Sequence, residues 1–158
     1  MEDCKPVCTP MITGSKLSKD DDSTAVDKTL YKSMIGKLIY LTQSRPDISN
    51  VVGIVGRFVV EPKKNHLMEI KRIFRYLKGT IDYGLWYPKS ENTQLHVYTD
   101  ADWACCIDDR KSTLGGAVFL GEKLVSWKSK KQNCISQSMV EAKYVVAALN
   151  CTKIVWIK

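Results

Sequence analysis

The 158 residues carry 24 Lys and Arg against 17 Asp and Glu, which gives a net charge of +7 and a pI near 9.1. An apolar fraction of 44% permits a packed core over most of the length, and no apolar run approaches the ~18 residues of a membrane span, so no membrane partner is expected. The basic excess raises polyanions, nucleic acid first, as candidate partners without establishing one.

The length suits one domain, or one domain with a helical extension. Residues 1–27 combine "KPVCTPM" with "SKLSKDDDSTAVDK". Their low apolar content predicts an extended, exposed or mobile segment. From 28 to 44 apolar residues recur at helical spacing: Leu30, Met34, Ile35, Leu38 and Leu41. Pro46 and Asp47 suit the first turn of a second helix, whose face is Ile48, Val51, Val52, Val55 and Phe58. A third helix is predicted over 64–78, with Leu67, Ile70, Ile73, Phe74 and Leu77 inward and Gly79 as its C-terminal cap. Residues 28–80 thus form a small helical unit.

The period then changes to two. "YGLWYP" (83–88) and "LHVYT" (95–99) read as strands, with a turn-rich stretch over 89–94 between them. Residues 115–121 and 123–129 read as a hairpin closed at Gly121-Glu122. A last helix begins near Ser136 or Ser138 and runs to the chain end. The fold class is α+β: a helical unit, then a partial sheet over 81–158 with one packed helix. Trp86, Trp103, Trp127 and Trp156 read as core residues. The six cysteines include no C-x-x-C pair, and "MEDCKPVCTPM" has no apolar leader core, so they read as reduced thiols of an intracellular protein.

Six stretches in fixed order carry a family resemblance: "LYKSMIGKLIYLTQSRPDI", "RIFRYLKGTIDYGLWY", "YTDADWA", "DDRKSTLGG", "SWKSKKQ" and "EAKY". Together they resemble the Pol polyprotein of copia-type LTR retrotransposons over nearly the whole chain. The resemblance implies that residues 1–80 correspond to the tail of a reverse transcriptase, thumb-like at the third helix, and those from about 94 to the first half of an RNase H domain. The implied parent activity is RNA-directed DNA synthesis, with Mg²⁺-dependent hydrolysis of RNA in RNA–DNA hybrids. It also implies a setting in a cytoplasmic virus-like particle or the nucleus, with the rest of the polyprotein as partner if it is in frame.

Hydrolysis of this type uses two Mg²⁺ ions about 3.5–4 Å apart, held by several carboxylates. By resemblance Asp100 matches the first-strand ligand, although alone it also reads as a turn former. Asp102, Asp108 and Asp109 read as structural acids, the last two in the loop "CIDDRKST". The family's Glu-Ala-Glu-Tyr stands here as Glu141-Ala142-Lys143-Tyr144. Two residues apart on a helix is about 200°, so only one of the two positions can face the metals. If it is the first, Glu141 is a second ligand. If it is the second, Lys143 puts a cation in a ligand's place. Equally, Glu141 reads as a solvated acid at the helix start. The resemblance places the polymerase aspartates before Met1 and two further RNase H aspartates beyond Lys158. Mg²⁺ is therefore expected to be weakly held or absent here, and this chain alone is expected not to cleave RNA. Cys105 stands where the family has Gly after "DWA", which matters if that position needs a positive φ.

Two basic patches complete the candidate site. Lys71, Arg75 and Lys78, with Arg72 beside them, line the third helix opposite its apolar stripe. Lys128, Lys130 and Lys131 follow Trp127 at a strand end. Either patch suits phosphate contact with a nucleic acid, and either also reads as plain solvated charge. A non-catalytic nucleic-acid-binding remnant and a functionless vestige are the two alternatives to a polyprotein enzyme fragment.

Overall fold

A computed structural model describes residues 4–89 and 91–157. Ser90 in the expected 89–94 turn, Lys158 in the last helix and residues 1–3 of the first segment lie outside them. The protein is α+β and divides into two compact units, Met1–Gly84 and Leu85–Lys158. No helix among the described residues is long and apolar enough to cross a membrane.

In the first unit, helix α1 (Lys28–Leu41) starts at Asp27, whose carboxylate accepts the Thr29 amide at 2.8 Å. Its buried stripe is Tyr31, Ile35 and Leu38, whereas Leu30 is 51% exposed. Tyr31 displaces Leu30 because it has two anchors: its ring is fully buried, and its hydroxyl donates to the Val55 carbonyl at 2.8 Å. Burial pushes the Tyr31 phenol above its ordinary pKa. A 3₁₀ turn (Pro46–Ile48), α2 (Ser49–Val55) and a second 3₁₀ turn (Gly56–Phe58) follow, then α3 (Lys64–Gly79). Ile48, Val51, Val52, Val55 and Phe58 pack with Ile70, Ile73 and Tyr76.

Arg45 ties the α1–α2 corner to the end of α3. Its guanidinium donates to both Asp47 carboxylate oxygens at 3.0 and 2.7 Å, and to the Thr80 carbonyl and hydroxyl at 2.9 and 2.7 Å. The Tyr76 hydroxyl donates to Asp47 at 2.8 Å. Burial alone would raise the Asp47 carboxyl, but the hydrogen bonds from Arg45 and Tyr76 outweigh it and hold the pKa below the usual range.

Residues 4–27 form little regular structure, yet they lie along α3. Val7, Met11 and Leu17 pack on the core, and Ala25 forms an isolated bridge with Lys63. His66, fully buried, stacks on Phe58 with ring centroids 3.9 Å apart. Its Nδ1 accepts the Lys63 amide at 3.1 Å. That leaves Nε2 as the donor to the Ser18 carbonyl, 2.9 Å away. Gly79 is the last residue of α3, and Thr80 takes the cap. The expected left-handed cap is replaced by a close approach: a Cβ on Gly79 would stand 2.9 Å from Pro6.

The second unit is a three-stranded antiparallel meander, β1 (Leu95–Asp102), β2 (Thr113–Leu120) and β3 (Lys123–Lys131), followed by α4 (Met139–Ile157). Gly121, at φ +59°, opens the two-residue β2–β3 turn; positive φ at the first central residue alone is the type II′ pattern. No strand forms over 83–88. That segment has no ladder partner, Trp86 is 82% exposed, and the Tyr87 hydroxyl donates to the Leu124 carbonyl. Trp103 and Trp156 are also exposed, the latter at 87%, and Trp127 is half-buried, so these rings do not build the core. The packed residues are Ala101 and Leu114 of the sheet against Ala142 and Val146 of α4. The helix comes close because the middle strand carries Gly115-Gly116: a Cβ on Gly116 would stand 2.4 Å from the Asn150 Oδ1.

Two predictions follow from these contacts. Asp47→Asn removes the charge that Arg45 and Tyr76 are built around and is expected to destabilise the first unit by about 1–3 kcal/mol. Because the folded pKa of Asp47 is lowered, its contribution is present above about pH 4 and is lost as pH falls through the folded value. The wild-type acid limb is therefore steeper than that of the variant in urea unfolding followed by circular dichroism. Gly116→Ala overpacks the α4 contact and is expected to cost about 1–3 kcal/mol. Adding Asn150→Ala removes the clashing amide, so the double variant is more stable than the summed single effects require, which a double-mutant cycle measures.

Candidate nucleic-acid interface

Asp100 sits within β1, its Cα opposite Gly115, and its Oδ1 accepts the Ala101 amide at 2.8 Å. Strand alternation sets Asp100 on the face opposite Ala101, and Ala101 is the residue that packs on α4. Asp102 is also a strand residue, opposite Thr113.

Glu141 stands at the start of α4. The Ser138 hydroxyl accepts the Glu141 amide at 3.1 Å, and the Glu141 carboxylate accepts the Gln137 amide at 2.7 Å. This reciprocal arrangement is that of a capping box, displaced by one residue, and it gives the Glu141 side chain a structural role. The buried face of α4 is Ala142, Val146 and Asn150. Glu141 and Lys143 lie about 100° to either side of Ala142, and both are exposed. Among the described residues no three His, Cys, Asp or Glu side chains gather closely enough to hold a metal ion. The Asp100 and Glu141 carboxylates each accept a nearby backbone amide.

The loop between β1 and β2 keeps its acids for structure. Asp109 meets Lys131 at 2.7 Å and Lys111 at 3.9 Å. Burial works against the Asp109 charge, but hydrogen bonds from Lys131, Cys106 and the Lys111 amide together hold its carboxyl down at about 2. The positive φ of this loop falls at Ala104 (51°) and Arg110 (54°), not at Cys105, so Cys105 meets no backbone strain of that kind.

The basic residues separate into three groups. On α3, Arg72 donates to the Thr9 carbonyl and hydroxyl at 3.2 and 2.9 Å, Arg75 to the Lys5 carbonyl at 2.8 Å, and Lys78 to the Cys4 carbonyl at 3.0 Å. These three cations hold the chain's own first segment, and Lys71 beside them is exposed. On β3, Lys131 pairs with Thr113 and turns to the Asp109 side, where its ammonium also lies 3.1 Å from Cys106 Sγ. Lys128 and Lys130 pair with Gly116 and Leu114 on the α4 face, where they line a cleft with Asn150 and Lys153. Lys153 was not singled out by sequence patterning. Its signal was the spacing Val146, Asn150, Lys153, which continues the buried face of α4.

The chain is 42% identical over 153 residues to a retrovirus-related Pol polyprotein from transposon RE1 of Arabidopsis thaliana, which covers 97% of this chain and 10% of that protein. It is 39% identical, over its whole length, to the retrovirus-related Pol polyprotein from transposon TNT 1-94 of Nicotiana tabacum, of which it covers 12%. A short relative, secreted RxLR effector protein 161 of Plasmopara viticola, is 36% identical over 80% of this chain and 90% of its own length. No family model and no solved structure matches the chain. The chain thus spans about a tenth of the polyproteins it matches, with identity running through both structural units. Over nearly its whole length the chain is similar to retrovirus-related Pol polyproteins of plant transposons.

Proposed function

We propose that this chain is a nucleic-acid-contacting piece of the reverse transcriptase–RNase H region of a transposon Pol polyprotein, with RNA–DNA hybrid as its ligand and without hydrolytic activity of its own. The whole polyprotein's activity would be reverse transcription coupled to metal-dependent removal of the RNA strand. The antiparallel meander backed by one helix supports placing the second unit in RNase H, and the helical first unit supports placing it at the polymerase tail.

The observation that carries the non-hydrolytic part is the disposition of the carboxylates. Asp100 lies on a strand face turned from the helix-packed side, and Glu141 caps α4. Lys143, the other family position, carries the wrong sign for a cation ligand. Two Mg²⁺ ions held against a phosphodiester need several converging anionic oxygens, which these residues do not supply. Binding needs much less. Phosphate contact by lysines is sequence-independent, and three of the chain's cations line one cleft.

The test is a fluorescent RNA–DNA hybrid incubated with the full chain and Mg²⁺ or Mn²⁺. The expected result is no cleavage above background, together with binding that weakens steeply as salt is raised. Turnover that disappears in Asp100→Asn would overturn the non-hydrolytic reading, and an absence of binding at low salt would overturn the nucleic-acid reading.

A further inference from the structure

Two lysines on the covered side of a sheet need an explanation. Lys128 and Lys130 lie opposite Gly116 and Leu114, on the face where Leu114 packs against α4. They avoid burial because β3 is an edge strand and α4 lies chiefly over β1 and β2. The result is a cleft of about 190 Å³, floored by Gly115 and Gly116 and walled on the α4 side by Leu149, Asn150 and Lys153. At ~30 Å³ per liquid water, that volume holds several waters or one small hydrated anion.

The charge around it is uncompensated. None of the ion pairs Arg45–Asp47, Lys111–Asp109 and Lys131–Asp109 among the described residues involves Lys128, Lys130 or Lys153. Helix α4 has one acid, Glu141, which at 1.5 Å per residue lies about 18 Å along the axis from Lys153. Burial draws the Lys153 ammonium below its ordinary pKa, and the nearby Lys128 charge adds to it. Three like charges around a small concavity repel one another until an anion enters.

We infer that this cleft is a phosphate site, with Lys128, Lys130 and Lys153 as its cations. Three ammonium groups approaching from a strand and a helix act as point charges around a tetrahedral phosphate. A planar carboxylate would favour a guanidinium fork, and no arginine lines the cleft. The phosphate comes either from a nucleic-acid backbone, in which case the inference rests on the function proposed above, or from free phosphate. Lys131, although adjacent in sequence, has no part in the site, because Asp109 and Cys106 hold its ammonium on the other face.

The experiment has two arms, both on the full chain. In the first, anisotropy of a labelled RNA–DNA hybrid is measured for wild type and for Lys128→Gln, Lys130→Gln, Lys153→Gln and Lys131→Gln. Each of the first three is expected to weaken binding severalfold and to lower the log–log salt slope by about one, while Lys131→Gln leaves both unchanged. In the second, inorganic phosphate is titrated against ¹⁵N-labelled protein. The Gly115 and Gly116 amides are expected to shift in wild type and not in Lys153→Gln. Near-UV circular dichroism establishes that each variant is folded; Lys128 and Lys130 are exposed, so their variants remain informative if Lys153→Gln unfolds. If the hybrid does not bind but phosphate shifts the two glycines, the site takes free phosphate and only the nucleic-acid reading fails. If the hybrid binds equally well to all variants, or Lys131→Gln weakens it as much as the others, the cleft is not the site. Failure of both arms overturns both inferences.

Discussion

The second unit is organised by a missing side chain. Gly116 leaves so little room that Asn150 Oδ1 lies 2.4 Å from where its Cβ would be. Asn150 is buried and turns its own Nδ2 to the Val146 carbonyl at 2.9 Å, so the helix keeps its polar group satisfied while resting on strand backbone. That contact fixes how α4 is rotated. Ala142 and Val146 then face Ala101 and Leu114, and Lys153, one turn beyond Asn150, is brought to the edge of β3. The same rotation leaves Glu141 and Lys143 straddling the buried line, so neither lies on the packed face.

The first unit depends on bonds of a different kind, from side-chain donors to main-chain carbonyls. Residues 4–27 cannot pair their backbone in a ladder, apart from the Ala25–Lys63 bridge. Their carbonyls are instead satisfied one at a time: Cys4 by Lys78, Lys5 by Arg75, Thr9 by Arg72 and Ser18 by His66. A row of cations on a helix that suits a polyanion in the sequence is thereby also a row of donors to this segment.

Legibility in the sequence follows this division. Periodic burial was readable in outline: α1, α2, α3 and the hairpin at Gly121-Glu122 appear where hydrophobic spacing puts them, although Tyr31 on α1 and His66 and Tyr76 on α3 join the buried stripes. What failed was inference from single large side chains. "YGLWYP" alternates like a strand, but alternation does not provide a partner, and Trp86 stays exposed. Leu30 and Tyr31 compete for one face, and the phenol prevails because it reaches the Val55 carbonyl, a contact 24 residues away that no local pattern signals. Carbonyl acceptors are identical at every residue, so the main-chain hydrogen bonds that dock residues 4–27 leave no trace in the sequence, although Val7, Met11 and Leu17 also pack on the core.

The candidate site shows the same limit for charge. A net charge of +7 treats every lysine alike, yet the fold places them in three electrostatic situations. On α3 the donors meet neutral carbonyls, which solvate a cation without cancelling it. At Lys131 a carboxylate 2.7 Å away cancels the charge directly. Around Lys128, Lys130 and Lys153 no carboxylate among the described residues forms an ion pair with them. Adjacent positions in "KSKK" belong to opposite electrostatic categories because strand alternation sends Lys130 and Lys131 to different faces of β3. A basic run on a strand therefore describes two surfaces, and only the register against β2 tells which lysines share one.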